Sequence, residues 1–206
     1  LNHSVKRAID RKKIGDEKDK ANLQLEKMFE IISLLNQGLD IEEIFDKIDI
    51  SLKSVIPFNS ITLVSLDHDE KSFQVKLSHS DKVLPAKSGF RLKLDETVFH
   101  NILRVKDVII ANDIDTFISK LNLPEETREI ISKETSSAVI MPLFIENSIK
   151  GFLLFLSEEP EPYNEEHLRF LKLIAGQISL SIQRGDLTSQ LEMHTKHLEH
   201  IVKVRT

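Results

Sequence analysis

The segment that decides the fold is Ser136–Asn164, with the sequence SSAVIMPLFIENSIKGFLLFLSEEPEPYN. It contains two apolar runs of strand length, Ala138–Phe144 and Lys150–Leu156. Between them, Glu146-Asn147-Ser148 has the residue types of a tight turn. Prolines then end the second strand, and Asn164 is a suitable N-cap for a helix that begins with two glutamates. The segment predicts a β-hairpin followed by a helix.

The helix after Asn164 is long and has two apolar stripes on nearly opposite faces. One stripe, with spacings of three and four, consists of Leu168, Leu171, Ala175, Ile178 and Ile182. The other consists of Phe170, Leu173 and Leu180, offset by two residues, which is roughly 200° around a helix. One stripe can pack on a sheet, so the other requires a second partner. From Leu180 a seam with alternating spacings of four and three continues to the end of the chain and predicts a parallel coiled coil.

A similar seam passes through the charged N-terminal segment and ends at Leu35. We expect both terminal helices to pair with those of a second copy, forming a homodimer. The predicted dimer contacts are Leu25, Met28, Ile32, Leu35, Phe170, Leu173, Leu180, Leu187, Leu191, Leu198 and Ile201.

The composition of the 206 residues excludes several classes of function. Without cysteine there is no disulfide, no thiolate catalysis and no cysteine-bound metal. The net charge of −5 argues against nucleic acid as a partner. The sequence contains no run of eighteen apolar residues, so it predicts neither a membrane span nor a signal peptide. We therefore expect no membrane contact here and a cytoplasmic location. Because the chain stops within a predicted helix, we expect it to be part of a longer protein.

Further strands are predicted upstream of the hairpin. Ser60–Leu66 is apolar on both faces, and Ser72–Ser78 alternates, with Phe73, Val75 and Leu77 on one face. Short strands follow at Gly89–Leu94 and Val108–Ala111, and helices lie before, among and after the strands. The order predicts an α+β fold with a six-stranded antiparallel sheet and long N- and C-terminal helices.

Several motifs together resemble the GAF domain, a relative of the PAS sensor fold. The resemblance is found in Leu92–Val98, Asp107–Ile114, Ser136–Leu143, Ile149–Phe155, Tyr163–Leu168 and Leu171–Ala175. It implies a helical bundle on one face of the sheet and short helices and loops of residues 79–135 over a small-molecule pocket on the other. It also implies a sensor domain at 25–183, a helical linker at 1–24 and a coiled-coil linker at 184–206 leading to an absent output domain.

The candidate ligand-binding residues are aromatic and polar side chains of the predicted pocket. They are Phe73, Phe90, Phe99, His100, Asn112, Asp113, Phe117, Ser136 and Ser137. Each has a structural alternative: the phenylalanines as core, Asn112 and Asp113 as turn residues, and the serines as backbone hydrogen-bonding groups.

Three specialised chemistries of GAF proteins are not expected. Bilin attachment and methionine sulfoxide reduction use cysteine, and the Asn-Lys pair of many cyclic-nucleotide-binding members does not occur. Haem bound through His79 or His100 is disfavoured, because both fit surface positions. No catalytic or metal motif is present in the sequence, so we expect no enzyme activity, no cofactor and no metal in this fragment.

We therefore interpret the chain as a sensory module. It binds an unidentified small molecule and regulates a downstream output domain through dimeric helices, most directly a two-component sensor histidine kinase. The alternatives are a ligand-free dimerisation spacer, or a regulator of a diguanylate cyclase or a transcription activator.

Overall fold

The computed structural model describes residues 2–37, 41–67, 72–81, 88–93, 103–104, 106–119, 125, 128–129, 133 and 135–205. The described helices are α1 (Asn2–Leu35), α2 (Ile41–Lys53), α3 (Ile114–Ser119) and α4 (Glu165–Arg205). The described strands are β1 (Ser60–Asp67), β2 (Ser72–Ser80), β3 (Arg91–Lys93), β4 (Ile109–Ala111), β5 (Ser137–Ile145) and β6 (Ser148–Ser157). The predicted α+β class is confirmed. Two of the helices that the sequence predicts among the strands, one beginning at Asp95 and one at Pro124, lie largely outside the described residues.

The described strands form one antiparallel sheet in the order β3-β2-β1-β6-β5-β4. The predicted hairpin is β5–β6, and its two turn residues, Glu146 and Asn147, have φ values of 50° and 63°. Two consecutive left-handed residues give the turn a twist that matches the twist of the flanking strands. The local sequence therefore determines the β5–β6 hairpin, whose two strands lie in the interior of the sheet.

One sheet face is covered by α1, α2 and α4, and we call it the helix-side face. Its core joins apolar residues of all three helices to Ile61, Leu63, Val139, Met141 and Phe155 of the strands. Helix α4 packs on β5, and α1 packs on α2 and α4. This is the three-helix bundle that the resemblance implied.

Helices α1 and α4 run parallel to each other. Near the middle of α1 and the beginning of α4, Lys20 Nζ lies 3.2 Å from Glu166 Oε2. Further along both helices, the Leu35 carbonyl oxygen accepts a hydrogen bond of 3.1 Å from Arg184 Nη2. Since Asn164 Oδ1 accepts a hydrogen bond from the His167 amide, the predicted N-cap of α4 is confirmed.

The two terminal helices cross the predicted domain boundaries without interruption. Helix α1 continues through residues 24–25, and α4 continues through residues 183–184. No described helix is long and apolar enough to cross a membrane.

Some of the predicted dimer contacts are buried in the chain's own core. Phe170 is 5% exposed and Leu35 is 1% exposed, and Met28 is partly buried against the same helix-side core. The assignments of Phe170 and Leu35 were wrong because the inward faces of α1 and α4 are wider than the predicted stripes. The assignment of Met28 stays a prediction, since part of its side chain is accessible. Phe170 and Leu173 differ by only about 60° around the helix, so the sheet covers one and not the other.

The other predicted contacts are accessible. Leu173, Leu180, Leu187, Leu191 and Leu198 are 51–67% exposed on α4. On α1, Leu25 is exposed and Ile32 is half-buried. The sequence analysis missed Phe29, which is 66% exposed beside them. Ile201 belongs to α4, but its side chain lies outside the described ones.

Candidate functional site

The candidate site is the sheet face opposite the three helices, which we call the roof-side face. Its buried centre is apolar and includes Val64, Ile140 and Phe152. The ring centroids of Phe73 and Phe152 are 5.4 Å apart, with 54° between the ring planes. These two rings fill the middle of the face.

Three of the predicted ligand-binding aromatics belong to this roof-side cluster. Phe73 is fully buried in it, and Phe90 and Phe117 are partly buried against it. Phe73 is thus a core residue in this structure, whereas Phe90 and Phe117 lie at the edge of the cluster. Phe99 and His100 lie outside the described residues.

Asn112 and Asp113 follow β4, as predicted, but they differ in their contacts. Asp113 begins α3: its Oδ1 accepts a 3.0 Å hydrogen bond from the Thr116 amide, and its Oδ2 accepts one of 2.6 Å from the Thr116 hydroxyl. This is the turn role that the sequence left open. Asn112 Oδ1 is buried and has no hydrogen-bond partner, so Asn112 keeps an unused acceptor.

The two predicted serines are engaged by the protein itself. The Ser136 amide donates to the Ser157 carbonyl oxygen, and the Ser136 carbonyl accepts from the Ile114 amide. The Ser137 hydroxyl is buried and donates a 2.7 Å hydrogen bond to the Glu159 carbonyl oxygen. Ser137 also has the strand parity of Val139, a helix-side residue, so its side chain is on the face away from the candidate site.

The sequence analysis missed a group of hydroxyls on the roof-side face. Ser60 pairs with Ser80, and Thr62 pairs with Ser78, across strands β1 and β2. We call these four residues the hydroxyl set. Thr62 Oγ1 and Ser78 Oγ are 2.9 Å apart, while Ser60 Oγ is buried with no partner.

The strand register shows which face the hydroxyl set occupies. Ser60 and Thr62 pair with Leu156 and Leu154 of β6, both of which pack against the roof-side cluster. In β2 the register shifts between the pairs Leu63–Leu77 and Val64–Val75, which leaves Lys76 as an extra residue. The alternation predicted for Phe73, Val75 and Leu77 was therefore wrong at Leu77, which packs on the helix-side core.

The opposite face of the same β2 segment is joined to α2 by a histidine–carboxylate contact and by a lysine. His79 Nε2 lies 2.8 Å from Asp46 Oδ1. Lys53 Nζ lies 3.2 Å from Asp49 Oδ2 and 2.7 Å from Asp81 Oδ1. Burial lowers the pKa of the Lys53 ammonium, but its bonds to Asp81 and Asp49 outweigh burial and leave that pKa above its ordinary value. The end of β2 is thus held to α2 from the helix side.

The other end of the roof-side face is connected to α4. The Asn112 carbonyl oxygen accepts a 3.2 Å hydrogen bond from the Glu161 amide, three residues before the N-cap of α4. Asp107, which precedes β4, lies 3.6 Å from Lys172 of α4. Residues around the candidate site therefore contact the long helix directly.

Two buried titratable groups lie where the sheet meets the start of α4. Burial raises the pKa of the Tyr163 hydroxyl far above its usual range, and the nearby Ser137 hydroxyl opposes only part of the rise, since the Tyr163 hydroxyl has no hydrogen-bond partner in the structure. Burial and the nearby Lys20 ammonium lower the pKa of His167, whose Nδ1 has no partner. Both groups are therefore uncharged at neutral pH, which suits a packed joint between sheet and helix.

Comparisons with known proteins identify the architecture. A family model described as GAF domain matches residues 40–184. The GAF domain of a phosphoenolpyruvate-protein phosphotransferase from Acinetobacter is 16% identical, with a TM-score of 0.67 over 81% of this chain and 96% of that chain. The GAF domain of a two-component sensor histidine kinase from Bacillus halodurans is 14% identical, with a TM-score of 0.61 over 73% and 99%.

A third solved structure is that of an enzyme. The free methionine-R-sulfoxide reductase from Neisseria meningitidis, in complex with its substrate, is 15% identical, with a TM-score of 0.66 over 82% of this chain and 93% of that chain. A search of curated protein sequences gives no match. At these identities the structural matches establish the fold.

Proposed function

Because this chain belongs to the GAF domain family, we propose that it is a non-catalytic sensory module of a two-component sensor histidine kinase. In this proposal a small molecule binds on the roof-side face, the chain forms a homodimer through α1 and α4, and α4 transmits the signal to the output domain. The proposal keeps the cytoplasmic location expected from the sequence.

The observation that carries the proposal is the division of α4 into two environments along one continuous helix. Its inward residues, among them Leu171, Ile174 and Ile178, are buried in the helix-side core. Its outer leucines remain exposed, and they continue beyond the sheet as a seam with heptad spacing. A helix fixed to the sheet at one end and apolar along its outer face is suited to convert a movement of the sheet into a change of helix packing.

The exposed leucines of α4 join the exposed residues of α1 in one surface. Arg184, which lies in the seam between Leu180 and Leu187, donates a 3.4 Å hydrogen bond to Asn36 Oδ1. Asn36 comes directly after the last residue of α1, and its amide donates to the Ile32 carbonyl oxygen one turn earlier, so the exposed stripes of the two parallel helices meet along this contact. We call this surface the apolar patch; it consists of Leu25, Phe29, Ile32, Leu173, Leu180 and Leu187.

Sedimentation equilibrium of the chain tests the homodimer. Replacing Leu180 and Leu187 together by glutamate should convert a dimer into a monomer, because each leucine buried at an interface contributes about 1.5–3 kcal/mol. Ile50→Glu is the matched control, since Ile50 is 70% exposed on α2, a helix that contributes no residue to the apolar patch. A wild-type chain that is monomeric at high concentration, or a double variant that dimerises equally well, contradicts the proposal.

Signal transmission is tested by joining the end of α4 to the catalytic core of a histidine kinase. Lengthening the junction by one residue at a time rotates the kinase by about 100° per step relative to the sensor. Autophosphorylation should then vary with a period of about seven residues, as expected for a heptad seam. Kinase activity that is the same at every junction length contradicts transmission through a coiled coil.

A ligand-free dimerisation spacer remains the second candidate, and one observation favours it. Phe73 and Phe152 fill the centre of the roof-side face with their own rings. A spacer dimerises like the sensor but binds nothing on that face. Nuclear magnetic resonance of methyl groups on the roof-side face during ligand screening distinguishes the two, because only the sensor shows saturable shifts there.

A further inference from the structure

The hydroxyl set contains a buried group that the folded protein leaves unsatisfied. Ser60 is 3% exposed, and its Oγ has no hydrogen-bond partner. A buried hydroxyl without a partner destabilises a protein by an amount comparable to a lost hydrogen bond, so most buried polar groups are paired. Serine at this position therefore needs an explanation other than the stability of the free protein.

The four side chains of the hydroxyl set lie close together on the roof-side face. Along β1, Ser60 and Thr62 are two residues apart, which is about 7 Å, and Ser80 and Ser78 lie opposite them at about 5 Å. The Thr62–Ser78 pair uses one of its two hydroxyl protons internally, so the other proton and further lone pairs remain available. The hydroxyl set can both donate and accept hydrogen bonds.

The hydroxyl set adjoins an apolar surface. On the neighbouring strand β6, Leu154 and Leu156 pair with Thr62 and Ser60 and are only partly buried. Apart from the bulge residues Lys76 and Lys150, the described strand positions that share this face have hydroxyl or apolar side chains. Such a surface matches a ligand with an apolar body and uncharged hydrogen-bonding groups along one edge. It disfavours an anion, because none of these regularly paired positions carries a positive charge that would offset the anion's desolvation.

We propose that the hydroxyl set, with Leu154 and Leu156, is the recognition surface for an uncharged small molecule that pairs with Ser60. This inference rests on the proposed ligand-binding function of the roof-side face and assigns the chemical class of its ligand. The ligand's polar edge contacts Ser60 and the Thr62–Ser78 pair, and its apolar body covers the two leucines. Ser60 then gains in the complex the partner that it lacks in the free protein.

Three probes of similar size test the class of ligand: benzamide, benzoate and toluene. Each is titrated into the chain labelled on leucine and threonine methyl groups, and the shifts of Leu154, Leu156 and Thr62 are followed by nuclear magnetic resonance. Benzamide should bind about tenfold more tightly than toluene, because it adds hydrogen bonds to the same apolar contact, and it should also bind more tightly than benzoate. Tighter binding of benzoate or toluene overturns the assignment while leaving a ligand site in place. If none of the three shifts these methyl groups, both the assignment and the ligand-binding function fail.

Two substitutions make the test specific to the hydroxyl set. Ser60→Ala should weaken benzamide binding severalfold, leave toluene binding unchanged, and preserve or raise the melting temperature of the free protein, since it removes an unpaired hydroxyl. Ser137→Ala is the matched control: it removes a hydroxyl that is bonded on the other face, so it should lower the melting temperature without affecting either probe. A Ser60→Ala protein that binds benzamide as well as the wild type overturns the proposal, as does one that loses toluene binding equally.

Discussion

Gly151 is the position where a single methyl group should be least tolerated. It pairs with Ser65 of β1 and with Leu143 of β5, in the interior of the sheet. A Cβ atom at Gly151 would overlap the Val64 carbonyl oxygen and closely approach the Ser65 Cα. Both obstacles are backbone atoms of a central strand, so neither can move aside by rotating a side chain. The glycine within the Ile149–Phe155 motif of the family resemblance thus has a steric explanation in this fold.

The expected loss for Gly151→Ala follows from two opposing effects. Overpacking in a well-packed interior costs about 1–3 kcal/mol or more. Replacing glycine reduces the freedom of the unfolded chain, which returns about 0.5–1 kcal/mol. Because the overlap is with backbone, we expect the upper part of the range and a net loss of about 2 kcal/mol. For a chain of this size that lowers the melting temperature by about 4–8 °C.

Circular dichroism is the suitable probe, because the chain has no tryptophan and a single tyrosine. Urea unfolding at fixed protein concentration separates a change in midpoint from a change in slope. Gly176→Ala is the matched control: Gly176 lies within α4, and a Cβ there meets nothing within 4 Å. It should stabilise the chain by about 0.5–1 kcal/mol, as alanine does in a helix. If Gly151→Ala is as stable as the wild type, the close approach of β1 to Gly151 is wrong.

Three further changes test other parts of the fold by urea unfolding. Asn147 has a φ of 63°, so Asn147→Val should lose about 1–2 kcal/mol, and Asn147→Gly should stay within about 0.5 kcal/mol of the wild type. Lys53→Met should lose about 1–3 kcal/mol, because it removes a partner of the buried Asp49 carboxylate. Lys53→Arg should avoid most of that loss because it keeps the positive charge, and a Met variant at wild-type stability contradicts the role of the ion pair. Because the pKa of His167 is lowered in the folded state, the unfolded chain binds more protons as pH falls through the ordinary value of 6.5, and stability should decrease toward pH 5. His167→Asn should flatten that slope, and an unchanged slope excludes His167 as its source.

The parts of the fold that were predictable are those encoded by local chemistry. The β5–β6 turn depends on Asn147 and its neighbour, and the start of α4 depends on Asn164, so a few adjacent residues suffice for each. The division of α4 into a buried and an exposed stripe was also predictable, because the spacing of the apolar residues along the helix encodes it. Phe170 was misassigned because its position borders both stripes, and only the width of the sheet beneath the helix decides its burial.

The candidate site was less predictable because it depends on strand register. The extra residue Lys76 in β2 reverses the alternation, so Leu77 packs on the helix side and Ser78 lies on the roof side. Nothing in the local sequence marks this bulge, since a polar residue is expected there in either register. The two hydroxyls of β2, Ser78 and Ser80, therefore could not be assigned to a face, or paired with those of β1, from the sequence alone. Phe90 and Phe117, by contrast, were correctly placed near the roof-side cluster because apolar residues beside short strands have few other places to pack.

The same bulge also gives β2 two functions within four residues. Beyond Lys76, Ser78 and Ser80 belong to the hydroxyl set, and His79 between them reaches Asp46 on α2 from the opposite face. Because adjacent residues of a strand move together, a ligand that pulls on Ser78 must also displace His79 against α2. Helix α2 packs in turn on α1, which bears half of the apolar patch. The α2 side and the Asp107–Lys172 contact on the α4 side thus supply two separate physical connections between the roof-side face and the helices, and a ligand that changes the dimer need act through only one of them.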